Sequence, residues 1–130
     1  MSARILQPPG WARPRGYANG IAAEGRQVFV AGQIGWDAEQ KFVSDDFAAQ
    51  SRQALANIRA VLAEAGAKPE HLVRLTWYVT SRDEYNAALT EIGAAWRELI
   101  GRHYPAMSVV VVAGLLEPRA KVEIEATAVV

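Results

Sequence analysis

The stretch Leu72-Val-Arg-Leu-Thr-Trp-Tyr-Val-Thr80 alternates Val73, Leu75, Trp77 and Val79 with Arg74, Thr76, Tyr78 and Thr80. Successive side chains of a strand point to opposite faces, so this segment reads as a strand with one apolar and one mixed face. A helical pattern stands on either side of it. Upstream, Phe47, Ser51, Ala54, Leu55, Ile58, Val61, Leu62 and Ala65 recur at three- and four-residue spacing, which predicts an amphipathic helix of about five turns. Ser44 offers an N-cap oxygen, Asp45 and Asp46 add negative charge to the first turn, and Gly66 is the stop. Downstream, Ser81-Arg-Asp-Glu84 has capping-box spacing. Tyr85, Leu89, Ile92, Trp96 and Leu99 then form the inward stripe of a second helix that ends at Gly101.

Working outward, the valine-rich residues 107–113 read as a strand buried on both faces. Residues 114–120, which include Pro118, cross to a final strand over 121–130. There Val122, Ile124, Ala126, Ala128 and Val130 point one way, and Glu123, Glu125, Thr127 and Val129 the other. Toward the N-terminus, residues 17–23 and 27–32 flank Glu24-Gly25-Arg26 and predict an antiparallel hairpin. Residues 1–16 hold Pro8, Pro9 and Pro14, which fix φ and withhold donors, so they form an extended lead-in. The order is β-β-α-β-α-β-β over a single domain of residues 1–130: an α+β fold with two helices on one face of a mixed sheet. The opposite face then carries Thr76, Tyr78, Val129 and half of the valine run. An uncovered patch of that kind predicts self-association.

Composition narrows the function classes. Among 130 residues, 14 Lys and Arg balance 14 Asp and Glu, and there is no cysteine. That removes thiolate nucleophiles, cysteine metal sites and disulfides together. The zero formal charge argues against nucleic acid as a partner, since a binding platform needs an excess of cations to replace counterions. No run of about 18 apolar residues is present, and the proline- and arginine-containing opening lacks the apolar stretch of a secretory signal. A soluble, cytoplasmic protein with no membrane partner is expected. His71 and His103 are the only histidines, and without HExxH spacing no metal site is expected.

Several residues invite a chemical reading beside a plainer one. Glu123 and Glu125 share a strand face within roughly 7 Å of each other, which suits divided acid and base roles but also suits ordinary alternation. His103 follows a helix end, where a capping contact accounts for it; His71 sits in a turn facing solvent. Gly32-Gln-Ile-Gly35 lacks the spacing of a phosphate cradle. Trp77 and Trp96 read as core, whereas Trp11 and Trp36, both in loops, are candidates to line a pocket or interface.

Five segments taken together carry a resemblance: Gly16-Tyr17-Ala-Asn-Gly20, Val28-Phe-Val-Ala-Gly-Gln-Ile34, Gln50-Ser-Arg-Gln-Ala-Leu-Ala-Asn57, Tyr104-Pro-Ala-Met-Ser108 and Val122-Glu-Ile-Glu-Ala-Thr-Ala128. In this order they resemble the RidA/YjgF/YER057c/UK114 family, the reactive intermediate deaminases. The resemblance implies a chorismate-mutase-like fold, a barrel-like homotrimer with helices outside, and small-molecule pockets between subunits. In active members an imine or enamine is hydrolysed to a keto acid and ammonia without cofactors. Carried over by position, Tyr17 lines the pocket, Gly32 follows the second strand, Ser108 and Val109 offer backbone groups, and Glu123 helps to place water.

The chain departs from that pattern where it matters most. Met107 stands where active members carry the arginine that grips the substrate carboxylate, Ala31 replaces a small polar residue, and Trp36 puts an indole near the expected mouth. Methionine cannot pair with a carboxylate. Two readings follow: a hydrolase of imines whose deaminase activity is weak or altered, with Arg13, Arg15, Arg74 or Lys121 as a substitute cation, or a non-catalytic trimeric binding protein. A ribonuclease, a label some relatives carry, draws no support from the charge balance or from a histidine pair.

Overall fold

The structure, a computed structural model, describes residues 2–130. Among them the order is β1 (Ser2–Leu6), β2 (Gly20–Glu24), β3 (Gln27–Gln33), α1 (Phe47–Glu64), β4 (Leu72–Val79), α2 (Arg82–Ala87), α3 (Leu89–Leu99), β5 (Ala106–Val111) and β6 (Val122–Val129). Four strands form a mixed sheet in the order β3-β6-β4-β5, with β4 and β5 parallel and the other pairs antiparallel. The helices pack on one face of that sheet, as the apolar alternation requires. Leu55, Ile58 and Leu62 of α1 meet Leu75, Val122 and Ile124 of the sheet, all essentially buried. Each such side chain contributes about 1.5–3 kcal/mol relative to exposure.

The helix ends follow local chemistry with two revisions. The N-cap of α1 is Asp46, whose carboxylate accepts from the Ala49 N–H at 2.9 Å; Ser44 instead accepts from the Asp46 N–H at 2.9 Å. Ser81 caps α2 by accepting from the Glu84 N–H at 3.1 Å, but the Glu84 carboxylate turns to Lys121 Nζ at 3.0 Å, so the capping box is only half formed. The second helix is broken at Ala88, which separates α2 from α3. In consequence Leu89 is not inward: it is 49% exposed.

Three other expectations change. The hairpin of β2 with β3 does not form, because β2 pairs with β1, which is therefore a strand inside the expected lead-in. Met1 of that lead-in lies outside the described residues. At Arg26 the chain instead exchanges two 2.8 Å backbone hydrogen bonds with Val130, committing β3 to β6. The valine strand is not buried on both faces: β5 is a sheet edge, and Val109, Val110 and Val111 are 41–51% exposed. A register shift between Leu72 and Arg74 leaves Leu72 fully buried and Val73 only half-buried, so the apolar face of β4 begins at Leu72.

Candidate functional site

Register decides which side chains can meet. Leu75 lies beside Met107 and Trp77 beside Val109 in the parallel pair, so Met107 and Val109 face the helices. Ser108 and Val110, by alternation, face the other way, as do Glu123 and Glu125, which lie opposite Tyr78 and Thr76. The residues expected to share one pocket therefore divide between two faces of the sheet.

On the helix side, Met107 and Val109 floor a groove of about 240 Å³ between β5 and α3. Its walls are mostly aromatic. Tyr85 stands edge-on to Trp77, with centroids 6.3 Å apart, and Tyr104 stacks on Trp96 at 6.1 Å and 12°. The indole of Trp96 donates to the His103 carbonyl at 3.1 Å. His103 Nε2 lies 2.6 Å from the Leu72 carbonyl; since a carbonyl only accepts, this nitrogen carries the proton. His103 thus ties the groove wall to the start of β4 rather than capping a helix. Burial pushes the Tyr85 hydroxyl up from its ordinary value.

Arg15 and Tyr17 close one side of the groove. They are brought there because Ala18 donates its N–H to the Pro105 carbonyl at 3.0 Å and bridges to Ala106, pinning the segment beside β5. Of the four candidate cations, only Arg15 lines the groove. Arg13 lies in the neighbouring cleft with Tyr17 and Tyr104, Arg74 is on the far face of the sheet, and Lys121 is engaged by Glu84.

The helix-free face holds the second group. Glu123 is half-buried and leans over Gly32, where a Cβ would overlap its carboxylate, so only glycine allows this approach. Among the described residues its carboxylate has neither a hydrogen bond nor an ion pair. Glu125, by contrast, accepts from the Tyr78 hydroxyl at 2.8 Å, and that bond is the main cause of the raised Tyr78 pKa. Ser108 is exposed on the same face. Trp36 joins neither group: its ring lies 5.8 Å from that of Phe42, and its carbonyl accepts from Asn57 at 2.8 Å.

Tyr85 and Ile92, which the sequence pattern places in the core, line the groove together with Tyr104 and Gly93, to which that pattern gives no site role. One signal was available. Leu89, Ile92, Gly93 and Trp96 occupy a single helical stripe at positions i, i+3, i+4 and i+7, and a glycine inside an apolar stripe marks a missing side chain.

Comparison with known proteins places the chain in context. A family model described as endoribonuclease L-PSP matches residues 12–130. The 2-iminobutanoate/2-iminopropanoate deaminase of Salmonella typhimurium is 34% identical over 116 residues, covering 87% of this chain and 86% of that protein. A Rid-family protein of unknown function, YyfB from Yersinia pestis, superposes with a TM-score of 0.88 at 34% identity, with both chains fully covered. The YjgF gene product of E. coli gives a TM-score of 0.72 at 34% identity over 87% of each chain.

Proposed function

The chain belongs to the endoribonuclease L-PSP family, the RidA/YjgF proteins, and from that premise we propose that it hydrolyses the C=N bond of imine or enamine metabolites in pockets shared between copies of the chain. The observation that carries this reading is Glu123, a half-buried carboxylate without a partner among the described residues, held over the bare backbone of Gly32. Such a group accepts a proton from water as the water oxygen adds to the imine carbon. The nitrogen takes up that proton and then the proton of the new hydroxyl group, the C–N bond breaks, ammonia leaves, and the carbon is left as a carbonyl. Imine plus water gives carbonyl plus ammonia, so nothing else enters the balance.

The division of the site between two sheet faces supports the shared pocket. Tyr17 and Met107 cannot converge with Glu123 through the sheet of one protomer, so cooperation among them requires a second copy. A homotrimer is the proposed assembly, with Gly32, Ser108 and Val109 contributed at or near its interfaces and no cofactor. Light scattering should then return about three times the protomer mass of 14.2 kDa. A protomer mass at working concentration overturns the shared pocket.

Met107 in place of a cation implies weak activity on small 2-imino acids, because a lost charge-assisted contact removes roughly 1.5–3 kcal/mol, about ten- to a hundredfold in affinity. Imines generated in situ from 2-aminobutanoate and alanine test this. Turnover should be low, and Met107→Arg should raise it by about ten- to a hundredfold; turnover already equal to that of an arginine-bearing relative overturns the assignment to Met107. The same residue supports a second reading, a binding protein without turnover, since a thioether on an apolar floor binds without gripping. Undetectable turnover in both forms, with ligand binding retained, would favour it.

A further inference from the structure

The groove between β5 and α3 is built for more hydrocarbon than a small imino acid carries. We infer that the preferred ligand is a 2-imino or 2-oxo acid with an aromatic side chain, its ring in the groove and its carboxylate on Arg15. This rests on the reading of the site as one for imines and their carbonyl products, and it specifies which of them.

Size and chemistry both point this way. An apolar cavity of roughly 150 Å³ takes up a benzene ring, and this groove offers about 240 Å³, enough for a ring and a short polar head. The floor is Met107 and Val109, and the half-buried rings of Tyr85 and Tyr104, backed by the buried Trp77 and Trp96, form aromatic walls that a ligand ring can meet edge-on or offset. A thioether in the place of a cation favours contact with that ring as well. Gly93 leaves its side of the groove open. Its neighbours on the α3 stripe, Leu89, Ile92 and Trp96, are large, and a Cβ built at Gly93 meets only the far end of the Arg97 side chain at 3.4 Å. Glycine is among the least favourable residues in a helix interior, so α3 carries an unfavourable residue where it borders the groove.

The polar end is equally specific. Arg15 is the only charged side chain among the groove-lining residues, it is exposed, and no ion pair holds it among the described residues. It can therefore form the bidentate contact with a carboxylate that Met107 cannot. Tyr85 lines the same groove, and a phenol hydroxyl is a donor suited to the imine nitrogen or the carbonyl oxygen.

The test uses the full chain and two stable keto acids, phenylpyruvate and pyruvate, titrated by calorimetry. Phenylpyruvate should bind at least about tenfold more tightly than pyruvate. Gly93→Leu should abolish that preference by filling the groove, and Arg15→Gln should weaken phenylpyruvate about tenfold while changing pyruvate little, since only a ring seated in the groove holds the carboxylate against Arg15. Leucine is a better helix former than glycine, so a thermal melt no lower than that of the parent shows that Gly93→Leu acts by occlusion. Equal affinities, no binding of either acid, or full phenylpyruvate binding by a folded Gly93→Leu variant overturns the inference. Its failure is separable from that of the hydrolase reading. Turnover of small imines without a phenylpyruvate preference defeats only the ring assignment, whereas phenylpyruvate binding without turnover of any imine defeats only the hydrolase.

Discussion

Replacing Glu123 with glutamine should slow imine hydrolysis by about a hundred- to ten-thousandfold, the range a positioned general base supplies. Glutamine keeps the volume and the approach to Gly32 but cannot accept a proton from attacking water. Ligand affinity should change little, since the carboxylate acts on water and not on the substrate acid, so the loss should fall on kcat with KM nearly unchanged. Glu125→Gln is the control. That carboxylate already accepts from Tyr78 at 2.8 Å, and its replacement should cost far less than that of Glu123. Equal losses at the two positions, or none at Glu123, would remove Glu123 from the mechanism.

The second large effect concerns stability. Gln50 is fully buried near the start of α1. Its amide donates to the carbonyls of Ser44 and Arg119, each at 3.0 Å, and its oxygen accepts from the Lys121 N–H at 2.9 Å. One side chain thus serves three backbone groups on two loops, which the Arg119–Asp45 ion pair joins at the surface. Gln50→Leu preserves bulk and strands all three groups. An orphaned buried group costs about 1–3 kcal/mol; with partial relaxation the total should reach about 3–5 kcal/mol. At a fixed protein concentration the melting temperature should fall by about 10–20 °C. A loss under about 1 kcal/mol would mean that water reaches these groups freely.

How legible all this is in the sequence depends on whether the information is local. The alternations over 72–80 and 121–130 place Trp77, Ile124 and Ala126 on the buried face and Glu123 on the other, because strand parity is a property of each segment alone. The hairpin expectation fails for the complementary reason. Glu24-Gly25-Arg26 does say that the chain turns, but not which strand each arm then pairs with, and β1 and β6 are the better partners. The site is divided by the same limit. Tyr17 with Met107, and Gly32 with Glu123, each form a neighbourhood, yet the register of β5 against β4 that sets Met107 on the helix side is a relation between distant segments. Parity within 107–111 alone cannot reveal it. The exposed valines of β5 belong here too: valine content foretells a strand, whereas its position at an edge is a matter of topology.

The pairing of β3 with β6 joins positions about a hundred residues apart, Val28 with Ala128 among them. On a ribosome adding about 5–20 residues per second, β3 therefore waits roughly 5–20 s before its partner has even been made. During that interval α1 can coil, but the strand meant to lie beneath it has no ladder, and Phe29, 73% exposed even in the finished fold, has no cover at all. From the end of α1 until β6 is made, the nascent chain carries a helix beside an open strand edge. Slower translation lengthens that exposure.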